Sequence, residues 1–289
     1  MSTKQEINSA EKYRKRVVNM YMSYFLGLLH NALEIENLPD DCPKRYFLRT
    51  LFRQGKIAEY GSGDDTLYLS ASGIGVDIYG LPTQYVLTGY NGFIVTVDKD
   101  DCNILRLNDL EKPIYPYLYI KSELLADFDT AIRQNLEATR TPCVFECKDQ
   151  ATLLSLQNQW KARRVGALVA FNSNSVIENN KLTVHETGAQ FYVDKLHEAR
   201  KEVIDEVYER LGIMTANTDK RERVQSAEVN ASVGRVIDNI YVMIDTFNYD
   251  AKVSGSKLRM KLNSVTEEYY VNSTTENINV NKESADGSR

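Results

Sequence analysis

Residues 191–232 read FYVDKLHEARKEVIDEVYERLGIMTANTDKRERVQSAEVNAS, a strongly helical stretch that runs into polar, charged chain before turning helical again. From Phe191 the apolar residues Val193, Leu196, Val203, Val207 and Leu211 recur on one helical face, and Gly212 supplies the stop. The opposite side is charged. Asp194, Glu198, Glu202 and Glu206 follow one another at i, i+4, so like charges stand together and cost the helix some stability. Taken alone, such a row reads as a solvated face. Beyond Gly212 the chain carries Lys220, Arg221, Glu222 and Arg223 in a segment too polar to pack a core of its own.

Upstream, after Pro113 and Pro116, Leu125, Phe128, Ile132 and Leu136 mark another helix that ends before Thr141–Pro142. Between the two helices lies an insert of strand-like CVFEC and GALVAF, helix-like DQATLLSLQNQWKARR and strand-like NNKLTVHE. At the N-terminus, Ser9 is expected to cap a helix with Val17, Met20, Tyr24, Leu28 and Ala32 on its apolar face, running to Pro39. KRYFLRTLFRQG begins a second helical reading, from Cys42 to about Tyr60, with Gly55 as its stop. Then the period changes to two: TLYLSASG, VDIYG, QYVLTGYNGFIVTVD and NILRLND are short runs between Gly, Asn and Asp turns, which predicts a small, strongly bent sheet or barrel. VGRVIDNIYVMIDTFNYD reads as a helix, SKLRMKLN as a strand, and the polar tail as disordered. The fold class is α+β.

Composition narrows the function. A hydrophobic content of 43% and a charged content of 26% suit a folded protein, and a net charge of -5 excludes a surface that clamps nucleic acid over its whole extent. Contacts with DNA must then be local. Four sparse cysteines predict free thiols in a reducing cytoplasm, and no run approaches the roughly twenty apolar residues of a membrane span, so no membrane partner is expected. The chain lacks a phosphate-binding Gly-x4-Gly-Lys loop, a His-Glu-x-x-His pair and a dinucleotide fingerprint. Cys143 and Cys147 lie four apart, but His30, His185 and His197 are scattered, which leaves structural zinc short of ligands. Asp98 and Asp100 fall at calcium-loop positions without the required glycine and glutamate, so a hairpin turn is expected there. Trp160 with Lys161, Arg163 and Arg164 could stack on nucleic acid, but a helix end with cationic caps or a subunit contact is the preferred reading of the cluster. No catalytic, cofactor-binding or metal residues are assigned; no cofactor is expected, and the chain reads as a non-enzyme.

The stretch at 191–232 resembles the signature of the upper collar, or head–tail connector (portal), proteins of small podoviruses with protein-primed replication. The shared elements are the aromatic-apolar VDKL helix, LGI, AN, the Lys220-Arg221-Glu222-Arg223 run and the Val224…Glu228-Val229 continuation. EIENLP at 34–39 and the Arg140–Pro142 step are also similar, and the remaining chain matches in element order.

This resemblance implies a portal-type fold with long stem helices, a small SH3-like β-rich wing part and an α/β clip, assembled as a dodecameric ring. Its parts would be a wing at 1–114, stem helices at 115–140 and 191–211, a clip at 141–190, a channel loop at 212–228, a wing helix and strand at 229–270, and the tail at 271–289. DNA would pass through the channel during packaging and ejection. Lys195 matches the stem lysine that lines it, Glu198, Glu202 and Glu206 would face it, and Lys220, Arg221 and Arg223 would project into it as a loop. The family's clip lysine has no counterpart in register, since Glu186 stands there; Lys181 is near. Implied partners are double-stranded DNA, capsid protein, a separate packaging ATPase and a lower collar or tail protein. The protein would be made in the host cytoplasm and reside at the capsid vertex of the virion. A different ring-forming tail or lower collar component is the alternative, and a cytosolic enzyme without motif stands behind it. A packaging RNA is not carried over, because the N-terminus here is less basic.

Overall fold

The computed structural model describes residues 2–140, 143–147, 150–164, 182–213, 226–264 and 266. They divide into two compact units, Met1–Ala126 with Lys201–Arg289, and Asp127–Arg200. The boundary therefore falls within the two helices expected as stem rather than at their ends.

The larger unit begins with α1 (Ser2–Ala32), which starts well before Ser9, so Ser9 is an interior residue and not a cap. It buries Val17 and Ala32 of the expected face, but between them the stripe runs through Val18, Tyr21, Met22, Phe25 and Leu29, and Met20 and Tyr24 are 56% and 50% exposed. Apolar residues stand on both sides of this helix, and packing selects the side that carries Phe25 and Leu29. At Leu33 the sequence LEIE alternates, and instead of continuing as helix to Pro39 the chain forms β1 (Leu33–Glu36). This strand pairs antiparallel with β9 (Arg259–Leu262), Leu33 opposite Leu262 and Ile35 opposite Met260. Both strands bury alternate residues, and Lys261 bridges the outward Glu34 and Glu36 at 3.6 and 2.8 Å.

α2 (Lys44–Gln54) buries Phe47, Leu48, Leu51 and Phe52. Gly55 ends it in the left-handed region at φ 77°, its N–H donating to Leu51 O at 2.8 Å, and a Cβ there would come within 2.4 Å of Glu111 O. Because Gly55 stops the helix outright, residues 56–60 form β2 (Lys56–Tyr60) rather than further helix. β3 (Leu67–Val76), β4 (Pro82–Thr88), β5 (Ile94–Asp98) and β6 (Cys102–Arg106) complete an antiparallel sheet of order β5-β4-β3-β2-β6. β5 and β6 are its two edges, yet only the 3₁₀ turn Lys99–Asp101 joins them. The expected hairpin at Asp98–Asp100 is absent for that reason: strands that do not pair cannot share one. A sheet whose edges are three residues apart must curl, and Leu69, Ala71, Tyr85, Leu87 and Val97 fill the interior, giving the SH3-like barrel.

α3 (Tyr115–Arg140), α5 (Val193–Leu211) and α6 (Ser226–Ser254) send Leu118, Leu125, Val207, Leu211, Ile240, Ile244 and Phe247 into the main core with α1 and α2. α6 thus begins at Ser226, inside the segment expected as loop to 228. Asp250 on α6 accepts from the Arg106 backbone N–H and Nε at 2.9 Å each and from Nη2 at 2.7 Å, which fastens α6 to the barrel edge. With the Asp250 side chain 9% exposed and that of Arg106 26%, Asp250→Ala is expected to cost about 2–4 kcal/mol, the loss of a nearly buried pair discounted for the arginine's access to water. Urea unfolding measures it; a midpoint equal to that of the unmodified protein would show that water replaces the carboxylate freely.

The smaller unit contains β7 (Cys143–Cys147) and β8 (Leu182–Glu186), paired antiparallel with Val144 opposite His185, and α4 (Gln150–Arg164), which bears Trp160. Here Asn135 receives the Tyr192 N–H at 2.9 Å and donates to Gln190 O at 2.9 Å, while Arg200 meets Asp129 at 2.9 Å. Lys181, the GALVAF strand and the tail at 271–289 lie outside the described residues.

Candidate functional site

The charged row is built on α5. Its apolar face, headed by Val193 and closed by Val207 and Leu211, is buried, and that burial turns the opposite face outward. Lys195, Glu198, Glu202 and Glu206 are all exposed, and the acids step about 6 Å along the axis at each i, i+4 interval. Among the described residues no basic group lies within ion-pair distance of Asp194, Glu198 or Glu202. The row is therefore a run of uncompensated negative charge.

Glu206 differs. Its Oε2 meets Lys121 Nζ at 2.6 Å, and Lys121, Arg210 and Glu206 surround Tyr117, the two cations 5.8 and 5.9 Å from its ring centroid. Burial, seconded by the Glu206 charge, pushes the Tyr117 hydroxyl up to about 12, so it stays protonated. Lys121 is a site residue that the sequence reading missed. It is the sole base between Lys112 and Arg133, and that isolation on an amphipathic helix was its signal. Lys195 Nζ sits 5.9 Å from the Tyr192 ring centroid, the outer limit of a cation–π contact, which leaves the ammonium in water. Lys220, Arg221 and Arg223 lie outside the described residues.

Exposed like-charged carboxylates in a row shape the local field, and among the described residues no group of three or more His, Cys, Asp or Glu could hold a metal ion. Cys42 and Cys102 are free thiols, with burial raising Cys42 to about 11 and also raising Cys102, which keeps both protonated. Among the described residues no helix is long and apolar enough to cross a membrane.

Solved structures similar to this chain include the following three. They are the portal and tail of native bacteriophage P68, at 11% identity with 91% of each chain covered and a TM-score of 0.46, and an HK97-family phage portal protein from Corynebacterium diphtheriae, at 13% identity with 86% of this chain and 92% of that one covered and a TM-score of 0.42. The third is the neck of a native GTA particle computed with C12 symmetry, at 12% identity, 84% and 80% coverage and a TM-score of 0.41. The family model described as Phage Connector (GP10) matches residues 2–254, nearly the whole chain. The protein belongs to the phage connector family, and is a portal, or head–tail connector, protein of the phage particle.

Proposed function

We propose that twelve copies close into a ring whose bore passes double-stranded DNA into and out of the capsid. The match of the connector family over residues 2–254 carries this reading. α3 and α5 serve as stem, residues 141–190 as the clip that meets the tail protein and a separate packaging ATPase, and the barrel with α1, α2 and α6 as the wing held by capsid protein. The ring itself hydrolyses nothing; it supplies a passage. The unpartnered Asp194, Glu198 and Glu202 support a wall that repels phosphate, and Lys195 adds a sparse cationic ring. Lys220, Arg221 and Arg223, collected from every copy, hold a stationary DNA end by many weak contacts.

Ring closure needs apolar surface for a neighbouring copy. On α6, Val242, Tyr249 and Val253 are 52%, 64% and 69% exposed at helical spacing, a face that the chain itself leaves uncovered. Tyr249→Asp with Val253→Asp is expected to leave folded monomers where the unmodified protein gives twelvefold rings with a central hole in electron micrographs. Sixfold or closed-ended assemblies of the unmodified protein would overturn the portal ring, and intact rings of the variant would move the contact elsewhere.

A further inference from the structure

α2 carries Lys44, Arg45, Arg49 and Arg53 and no acidic residue, in a chain whose net charge is -5. Burial of Phe47, Leu48, Leu51 and Phe52 turns the three arginines to one exposed side at one-turn intervals, about 6 Å apart along the axis. They form one rim of a groove of about 460 Å³ between α2 and α1, with Asn19, Ser23 and Gly27 on the other rim. A second groove of about 460 Å³, lined mainly by polar groups such as Thr50, Gln54, Ser70 and Thr88, shares Arg53 and Tyr115 with the first. Among the described residues no aspartate or glutamate lines either groove, and none of the three arginines has an ion-pair partner. Uncompensated guanidiniums in a row, within an acidic protein, are a local positive field of the kind that phosphates seek.

Two further observations point to an occupant. His30 Nε2, in the lining of the first groove, is shielded from water and has no hydrogen-bond partner. Buried polar atoms rarely stay unsatisfied, and His30 lines the same groove as the three arginines. Gly27 stands inside α1, where glycine is among the poorest helix formers, and an added Cβ would meet nothing within 4 Å. The chain's own packing gives no reason for a glycine there; close approach by something in the groove does. Arg53 is held over the Tyr115 ring at 5.0 Å, which presents its fork at the junction of the two grooves.

We infer that the Arg45–Arg49–Arg53 groove binds the phosphodiester backbone of a nucleic acid, at a site on the single chain separate from the α5 row. Arginine forks grip phosphate oxygens in pairs, and their step of about 6 Å approaches twice the 3.4 Å axial spacing of phosphates along one DNA strand. Asn19 and Ser23 add neutral donors on the facing rim. The site does not depend on the bore reading, since no residue of α5 or of the loop after it lines either groove.

The test compares the unmodified assembled protein with Arg45→Gln/Arg49→Gln/Arg53→Gln, using fluorescent 30-mers of duplex DNA, single-stranded DNA and RNA. Affinity for at least one of the three is expected to fall tenfold or more. For duplex, the slope of log K against log salt should shrink by roughly 2 to 3, three contacts at about 0.9 each. Which 30-mer loses most identifies the source of the backbone. As a measurement on the unmodified protein, the same oligonucleotide should shield Arg45, Arg49 and Arg53 from phenylglyoxal, read by mass spectrometry, while inorganic phosphate at equal phosphate concentration should not. Unchanged affinity and slope, or arginines that stay reactive with oligonucleotide bound, would overturn the inference. Loss of rings in the variant with oligonucleotide binding retained would also overturn it, making the groove a seat for an acidic segment of a neighbouring copy.

Discussion

Val207→Asp is expected to leave no folded protein, a larger defect than a failure of rings to close. Val207 is 0% exposed and belongs to the same core as Phe25, Leu211 and Phe247. A carboxylate placed there has no cation to pair with and must either ionise in apolar surroundings or fold protonated with its hydrogen bonds unmade. Costs of this kind exceed about 4 kcal/mol, against the 5–15 kcal/mol that holds an ordinary domain together. The sequence pattern sets Val203 and Val207 on one apolar face without saying what covers it; Val207 is consumed by the chain's own core, while Val203 is only partly covered. Soluble yield and far-ultraviolet circular dichroism check this. A well-folded Val207→Asp monomer would return the residue to the subunit interface.

Glu198→Lys combined with Glu202→Lys carries the second large effect, on DNA rather than on folding. Both side chains are exposed and unpartnered among the described residues, so the change does not disturb the core, whereas Glu206 is left alone because it holds Lys121. Each copy gains about four units of positive charge, and repetition around a ring converts the wall from repelling to attracting phosphate. DNA affinity of the purified ring should rise at least tenfold with a steeper salt dependence, and motor-driven filling should slow. If affinity and filling rate both stay put, the row faces away from the bore. The loop behaves oppositely under the same assay: Lys220→Ala/Arg221→Ala/Arg223→Ala should fill normally and then leak, seen as nuclease-sensitive DNA after the motor is stopped. Full retention would leave the loop a connector only.

What the sequence disclosed, and what it withheld, follows from how local each signal is. Gly212 and Gly55 stop their helices as expected, because a left-handed C-cap is chosen by the residue that adopts it. The face of α1 was misjudged because Met20 and Tyr24 are as apolar as the residues actually buried, and only the partner helices decide between the two sides. At 56–60 the helical reading ran past its stop, since Ile57, Ala58 and Tyr60 fit either period. The turn at 99–101 was read as a hairpin because a hairpin is the common short link between strands; here the pairing strand for β6 is β2, more than forty residues back. The pairing of Lys121 with Glu206 spans 85 positions and left no trace beyond an isolated base. The acidic row itself was legible in full, since i, i+4 spacing needs no tertiary information.

The β1–β9 pairing has a consequence for the order in which the molecule is made. Leu33 to Glu36 leave the ribosome early, but their partners Arg259 to Leu262 come more than two hundred residues later, with Asn263 N–H closing onto Ala32 O at 2.8 Å. Until then the end of α1 has a bare strand edge and an incomplete core. A nascent chain therefore cannot reach its final shape piecemeal from the N-terminus, and any copy released short of residue 259 lacks the clasp that fixes its first helix. Translation through Leu262 acts as a proofreading step, withholding a competent building block until both strands of the clasp exist.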